Sequence, residues 1–143
     1  MKSPVTVDAS VFVNAFSPDE ARSDASMEFL AQLKSDGVPL IQPTLFFPEF
    51  VASIARKQDD ANVALDLARE LKNFSNLKLV DLDESLADVA SDVAARYRLR
   101  GSDAIYAAVA RGLLDRFDVA AARALGDPVV DEVLRGPSAA LGT

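Results

Sequence analysis

Val5-Thr6-Val7-Asp8-Ala9-Ser10-Val11-Phe12-Val13-Asn14-Ala15-Phe16 is the stretch that decides the fold. The β-prone run Val5 to Val7 ends at Asp8, and after Ala9-Ser10 the apolar residues from Val11 to Phe16 suit a buried helical turn. The stretch therefore predicts a strand passing straight into a helix, with an acid at the strand's carboxyl end.

The chain repeats that passage further on. Ser17-Pro18-Asp19-Glu20 combines a capping residue, Pro and two acids, and Ala25, Phe29, Leu30 and Leu33 then recur at helical spacing until Gly37 stops the helix. Pro39 to Gln42 reads as a short strand. From Pro48 to Lys57 a helix sets Phe50, Val51, Ile54 and Ala55 along one face and carries Glu49 in its first turn. Helical spacing returns from Asp59 to Asn73, and Leu77 to Val80 reads as a third strand. Asp83 caps a helix whose buried side is Leu86, Val89, Ala90, Val93 and Tyr97. Ser102 is an N-cap for a helix running to about Leu114, with Asp103 at its first position. Strands alternating with helices of this length predict an α/β fold with a mainly parallel sheet, whose right-handed crossovers place sites at the strands' carboxyl ends. The 143 residues fit one domain, 1–143, with no internal repeat or linker.

Composition narrows the chemistry. Half of the residues are apolar and about a quarter charged, which indicates a globular chain. There is no Cys, so no disulfide framework or thiolate zinc site, and no His, the usual imidazole ligand and general base. Acid/base or metal chemistry must rest on carboxylates. No apolar run reaches the length of a membrane span, and MKSPVTVDAS lacks signal-peptide features, so a cytoplasmic protein is expected. The net charge of −7 opposes a general positive field for nucleic acid. That objection weakens where clustered carboxylates bind a divalent ion, which reverses the local sign and bridges to phosphate.

Three acids lie in apolar segments: Asp8 in VTVDASVFVNAF, Glu49 in PTLFFPEFVASIAR and Asp103 in LRGSDAIYAAVA. Burying a carboxylate costs several kcal/mol unless it is paired or coordinates a cation. Asp103 and Glu49 are each equally explained as favourable charges at helix N-termini. Asp8 also has a plain reading, as a turn-forming Asp, but it ends a strand and is followed by Ser10 and a nearly unbroken apolar run. Asp59, Asp60, Asp66, Glu70, Asp81, Asp83, Glu84, Asp88 and Asp92 lie in polar settings or at caps and read as solvated surface.

Taken together, the VDAS segment, Pro48-Glu49-Phe50 and Gly101-Ser102-Asp103-Ala104-Ile105-Tyr106-Ala107-Ala108 resemble the three acidic motifs of PIN-domain ribonucleases of the VapC toxin type. The likeness runs from Val5 to Leu114. It implies a PIN-like three-layer α/β/α domain and a metal-dependent endoribonuclease, with Asp8, Glu49 and Asp103 holding Mg²⁺ or Mn²⁺ and metal-activated water hydrolysing RNA. Hard oxygen ligands suit those ions, and activated water takes over from the absent His. The resemblance also implies a cognate antitoxin protein and a homodimer. Ser10 and Ser102 would orient the carboxylates by hydrogen bonding, although Ser102 is equally explained as a cap.

The likeness breaks after Leu114. Where the family has a fourth strand of the form V-T-x-D, this chain reads Phe117-Asp118-Val119-Ala120-Ala121-Ala122-Arg123, so Ala122 stands where the fourth acid is expected. Asp118 falls at the wrong end of that strand, and Asp127 in Gly126-Asp127-Pro128 is a typical turn residue. An alternative reading is therefore a degenerate, catalytically weak PIN domain that acts as a dimerising or binding module. A phosphatase-like hydrolase lacks support, because it needs a second acid two residues after the first and position 10 is Ser. Arg56, Lys57, Arg96, Arg98, Arg100 and Arg111 flank the acidic motifs in sequence and matter for RNA phosphates only if they converge; singly, each is an ordinary solvated residue.

Overall fold

The computed structural model of the protein describes residues 3–117. Among these, strands β1 (Leu40–Pro43) and β2 (Leu77–Val80) pair in parallel, with Leu40 opposite Leu77 and Pro43 opposite Val80. They alternate with helices α1 (Ala9–Ala15), α2 (Ser23–Ser35), α3 (Phe46–Gln58), α4 (Ala61–Lys72), α5 (Glu84–Tyr97) and α6 (Gly101–Phe117). This is the α/β arrangement with a parallel sheet that the alternating pattern predicts. Ala120, Ala122, Asp118 and Asp127, with the expected fourth strand, lie outside the described residues.

The first predicted strand shrinks to a single parallel bridge, Val5 to Leu40. The Val5 amide donates to Pro39 O and the Ile41 amide to Val5 O, each at 2.9 Å. A parallel ladder would next take the Val7 amide to Ile41 O and the amide of residue 43 to Val7 O. Residue 43 is Pro and has no N–H, and Ile41 O instead accepts from Thr6 Oγ1 at 2.7 Å. The fully buried side chain of Gln42 fills both gaps. Its Oε1 accepts from the Val7 amide at 2.8 Å, and its Nε2 donates to Val7 O at 2.6 Å. Both backbone groups of Val7 are thereby paired without a strand, as buried peptide groups require.

Three helix starts differ from expectation for local reasons. Residues 17–22 form successive turns rather than the start of α2, and the buried Ser17 hydroxyl turns back to Val13 O at the end of α1. α2 accordingly begins at Ser23. In α6 the Ala104 amide donates to Arg100 O, so the helix starts at Gly101 and Ser102 lies within its first turn instead of capping it. α3 begins two residues before Pro48, which sits where helical amides have no intrahelical partner and a missing N–H costs little. Asp60 and Asp83 cap α4 and α5 by accepting first-turn amides.

Aromatic side chains tie the elements together. Phe12 of α1 meets Phe46 of α3 edge-on with ring centroids 4.7 Å apart, Phe16 meets Phe50 at 5.9 Å, and Phe46 stacks with Phe50. Tyr106 of α6 and Leu40 of β1 join the same buried cluster. A second cluster sets Ala90 and Val93 of α5 against Ala104, Ala107, Ala108 and Ala110 of α6. The small side chains of α6 leave α5 a narrow buried stripe. Val89 and Tyr97, predicted on the buried side, are instead exposed. Among the described residues no helix is long and apolar enough to cross a membrane.

Candidate active site

Asp8 leaves the short pairing at Val7 and immediately caps α1. Its Oδ1 accepts the Ser10 amide at 2.8 Å, so Ser10 orients the carboxylate through its backbone rather than through the expected hydroxyl. Glu49 stands in the first turn of α3, between the two phenylalanines, Phe46 and Phe50, that anchor that helix in the core. Asp103 stands in the first turn of α6, three residues before the buried Tyr106. The aromatic cluster thus holds together the three elements that carry the acids.

Asp8 and Glu49 line one cleft of about 310 Å³ with Asn14, Ser53, Arg56, Lys57 and Arg100. Asp103 reaches the same place through Arg100, whose Nε lies 3.0 Å from Asp103 Oδ2 and whose Nη2 lies 3.4 Å from Oδ1. The negative charges feel one another. Burial pushes the Glu49 carboxyl above its ordinary value, and the nearby charges of Asp8 and Asp103 push it further, while Tyr106 and Arg100 oppose the shift. The Tyr106 hydroxyl is pushed strongly upward, first by burial and then by Glu49, so it stays protonated as a donor.

Two polar atoms at the bottom of this arrangement are orphaned. Glu49 Oε1 and Tyr106 Oη are both buried, and neither completes a hydrogen bond, although they lie near enough for Tyr106 to favour the ionised carboxylate. Buried oxygens without partners are uncommon, and a bound water or ion is one way such atoms are satisfied. Among the described residues no three His, Cys, Asp or Glu side chains converge closely enough to chelate one ion directly. The donor chemistry nevertheless fits a hydrated divalent ion, because Mg²⁺ keeps several waters and binds through one or two carboxylates.

The cationic candidates separate. Arg56, Lys57 and Arg100 converge on the cleft. Arg96 pairs with Asp92 on its own helix, Arg111 lies over the Tyr97 ring and donates to its hydroxyl, and Arg98 forms the left-handed end of α5. Sequence reasoning missed Asn14, Ser53 and Tyr106. Each follows a flagged residue by one helical turn, four residues after Ser10 and Glu49 and three after Asp103, so helical spacing from the acids was the available signal. Gln42 had no such local signal.

The model of the PIN domain family matches residues 5–117. No curated protein matches the chain significantly. PIN domains are generally metal-dependent nucleases, and a half-buried acid with an unpartnered oxygen, two further acids and three convergent cations suit that chemistry. The match takes in the parallel pairing, the cleft and all three acids, and on that ground the chain belongs to the PIN-domain family.

Proposed function

We propose that this protein is a metal-dependent endoribonuclease of the VapC type, the toxin of a toxin–antitoxin pair acting in the cytoplasm. Asp8, Glu49 and Asp103 hold Mg²⁺ or Mn²⁺. Arg56, Lys57 and Arg100 bind RNA phosphates beside them, where cations position the backbone without reading sequence. The observation that carries this reading is the buried, unpartnered Glu49 Oε1 on a carboxyl that feels the charges of both Asp8 and Asp103. A bound divalent ion supplies charge neutralisation and a water acidic enough to attack a phosphodiester near neutral pH. The protein's own part is to orient Asp8 through the Ser10 amide, to set beside Glu49 the Tyr106 hydroxyl that opposes its protonation, and to hold the phosphate against the cations.

The chain's net charge of −7 suits a cationic antitoxin segment, and the exposed apolar side chains Met27 of α2 and Leu65 of α4 are what self-association would cover. Titration with Mn²⁺ by calorimetry, followed by cleavage of a structured RNA, tests the reading. Binding and cleavage that Asp8→Asn abolishes support it, and binding unchanged in that variant sinks the site. A second reading, a degenerate domain serving as a binding module, is favoured by the absence of a direct three-acid chelate among the described residues and by Ala122. Tight RNA binding without metal uptake would select it.

A further inference from the structure

The buried Gln42 amide is spent entirely on one residue, Val7, which directly precedes Asp8. An ordinary parallel rung cannot form there. Pro43 lacks the amide that would reach Val7 O, and the Val7 amide goes to Gln42 Oε1 while Ile41 O, the acceptor it would use in a ladder, takes the Thr6 hydroxyl. Two backbone groups beside an acid therefore depend on a single side chain 35 residues away. We infer that Gln42 is a positioning residue for Asp8, its amide replacing the missing rung and setting the direction in which the Asp8 carboxylate enters the cleft.

The chain of contact is short. Gln42 fixes both sides of the Val7 peptide, Val7 leads into the Asp8 cap, and Asp8 Oδ1 takes the Ser10 amide. Freeing Val7 would let its peptide planes rotate, and Asp8 is the next residue to follow. Groups that orient a metal ligand typically matter about 10–100-fold for metal affinity when removed. As far as it concerns metal, the inference rests on the proposed function. As far as it concerns Asp8 geometry, it does not.

The test uses the full ¹⁵N-labelled chain with Gln42→Met, which keeps the side chain's length and removes its donor and acceptor. The Ser10 amide resonance reports the Asp8 carboxylate without any metal, and a Mn²⁺ titration reports the site. Expected are a displaced Ser10 resonance and Mn²⁺ affinity lowered about tenfold or more. Adding Pro43→Val, which restores a backbone donor for Val7 O, should return both part of the way. A lowered melting temperature with the Ser10 resonance and the Mn²⁺ affinity unchanged would overturn the inference. Should Gln42→Met not fold, Gln42→Glu is read at a pH where its carboxylate is ionised, which keeps an acceptor for the Val7 amide and sets a repelling charge against Val7 O, and an unmoved Ser10 resonance in that variant overturns the inference equally. If the unmodified protein takes up no Mn²⁺, the metal reading of the cleft fails, and the Ser10 resonance alone decides the role of Gln42.

Discussion

Arg100 grips Asp103 from three residues upstream, Nε to Oδ2 at 3.0 Å, while its guanidinium also faces the cleft that Asp8 and Glu49 line. The acid is three-quarters buried and its partner almost wholly exposed, with side-chain exposures of 25% and 83%. The pair is thus a removable cation beside three carboxylates. Exposed ion pairs are weak and screened by salt, so a divalent ion can displace this one.

Arg100→Ala should raise Mn²⁺ affinity severalfold at low salt, because Asp103 is freed and a repelling charge is removed. The same change should weaken RNA binding, since one of three convergent cations is lost. Calorimetry with Mn²⁺ and filter binding with RNA separate the two effects. Movement of both affinities in the same direction would contradict the dual placement of Arg100.

Glu49 sets the pH dependence of the metal-free protein. Its carboxyl is held above the ordinary value, by burial first and by Asp8 and Asp103 after that. A raised folded value means that the folded state binds the proton more tightly. The resulting stabilisation is fully present below about pH 4.3, the unfolded value, and is lost as pH rises through the folded one. Glu49→Gln should therefore melt at a higher temperature than the parent chain at neutral pH, with the gain shrinking as pH falls towards 4. Melting curves across pH without divalent ions check this, and a gain that grows on acidification would reverse the assigned sign.

Arg56 and Lys57 should differ in their share of RNA binding. Each phosphate contact on single-stranded RNA contributes roughly −0.7 to the slope of log affinity against log salt. Arg56→Ala should flatten that slope by about 0.7. Lys57 is already paired with Glu20, so Lys57→Ala should flatten it less. Equal changes from the two variants would show that the Glu20 pair does not survive RNA binding.

On the sequence resemblance, Ala122 stands where the family's fourth acid is expected. Three carboxylates can hold one hydrated ion, whereas a second ion anchored mainly by a fourth acid would lose its hold. The chain as it stands should cleave RNA weakly or not detectably, and Ala122→Asp should strengthen both Mn²⁺ affinity and cleavage at matched salt. Brisk cleavage by the parent chain, unaltered by Ala122→Asp, would mean that three acids suffice or that position 122 is not the family's fourth position.

The elements legible in the sequence were those announced by local chemistry. Leu77 to Val80 forms β2 as its β-prone composition predicts, Asp83 caps α5, and Gly37, with φ of +66°, follows the end of α2. The three acids were legible because each sits where a polar residue interrupts an apolar segment. Ser17 was misread because it resembles an N-cap, yet burial turns its hydroxyl back to α1. Val89 and Tyr97 were misplaced because helical spacing marks a face but not how wide a face the partner helix covers. Gln42 was invisible for a different reason. A buried amide paired to a distant peptide group leaves no periodic trace, and only the Pro beside it hints that a backbone donor is missing.

The Gln42 clasp on Val7 also limits how the N-terminal segment can be threaded. Side chains alternate faces along an extended segment, so a slip of one residue would present Thr6 or Asp8 to the amide and turn the whole segment over. Neither alternative is acceptable. Thr6 would surrender its bond to Ile41 O, and an ionised Asp8 carboxylate would be turned toward the interior where Gln42 lies. The one side chain that replaces a rung thereby acts as a key that admits a single alignment, the one in which Asp8 lines the cleft.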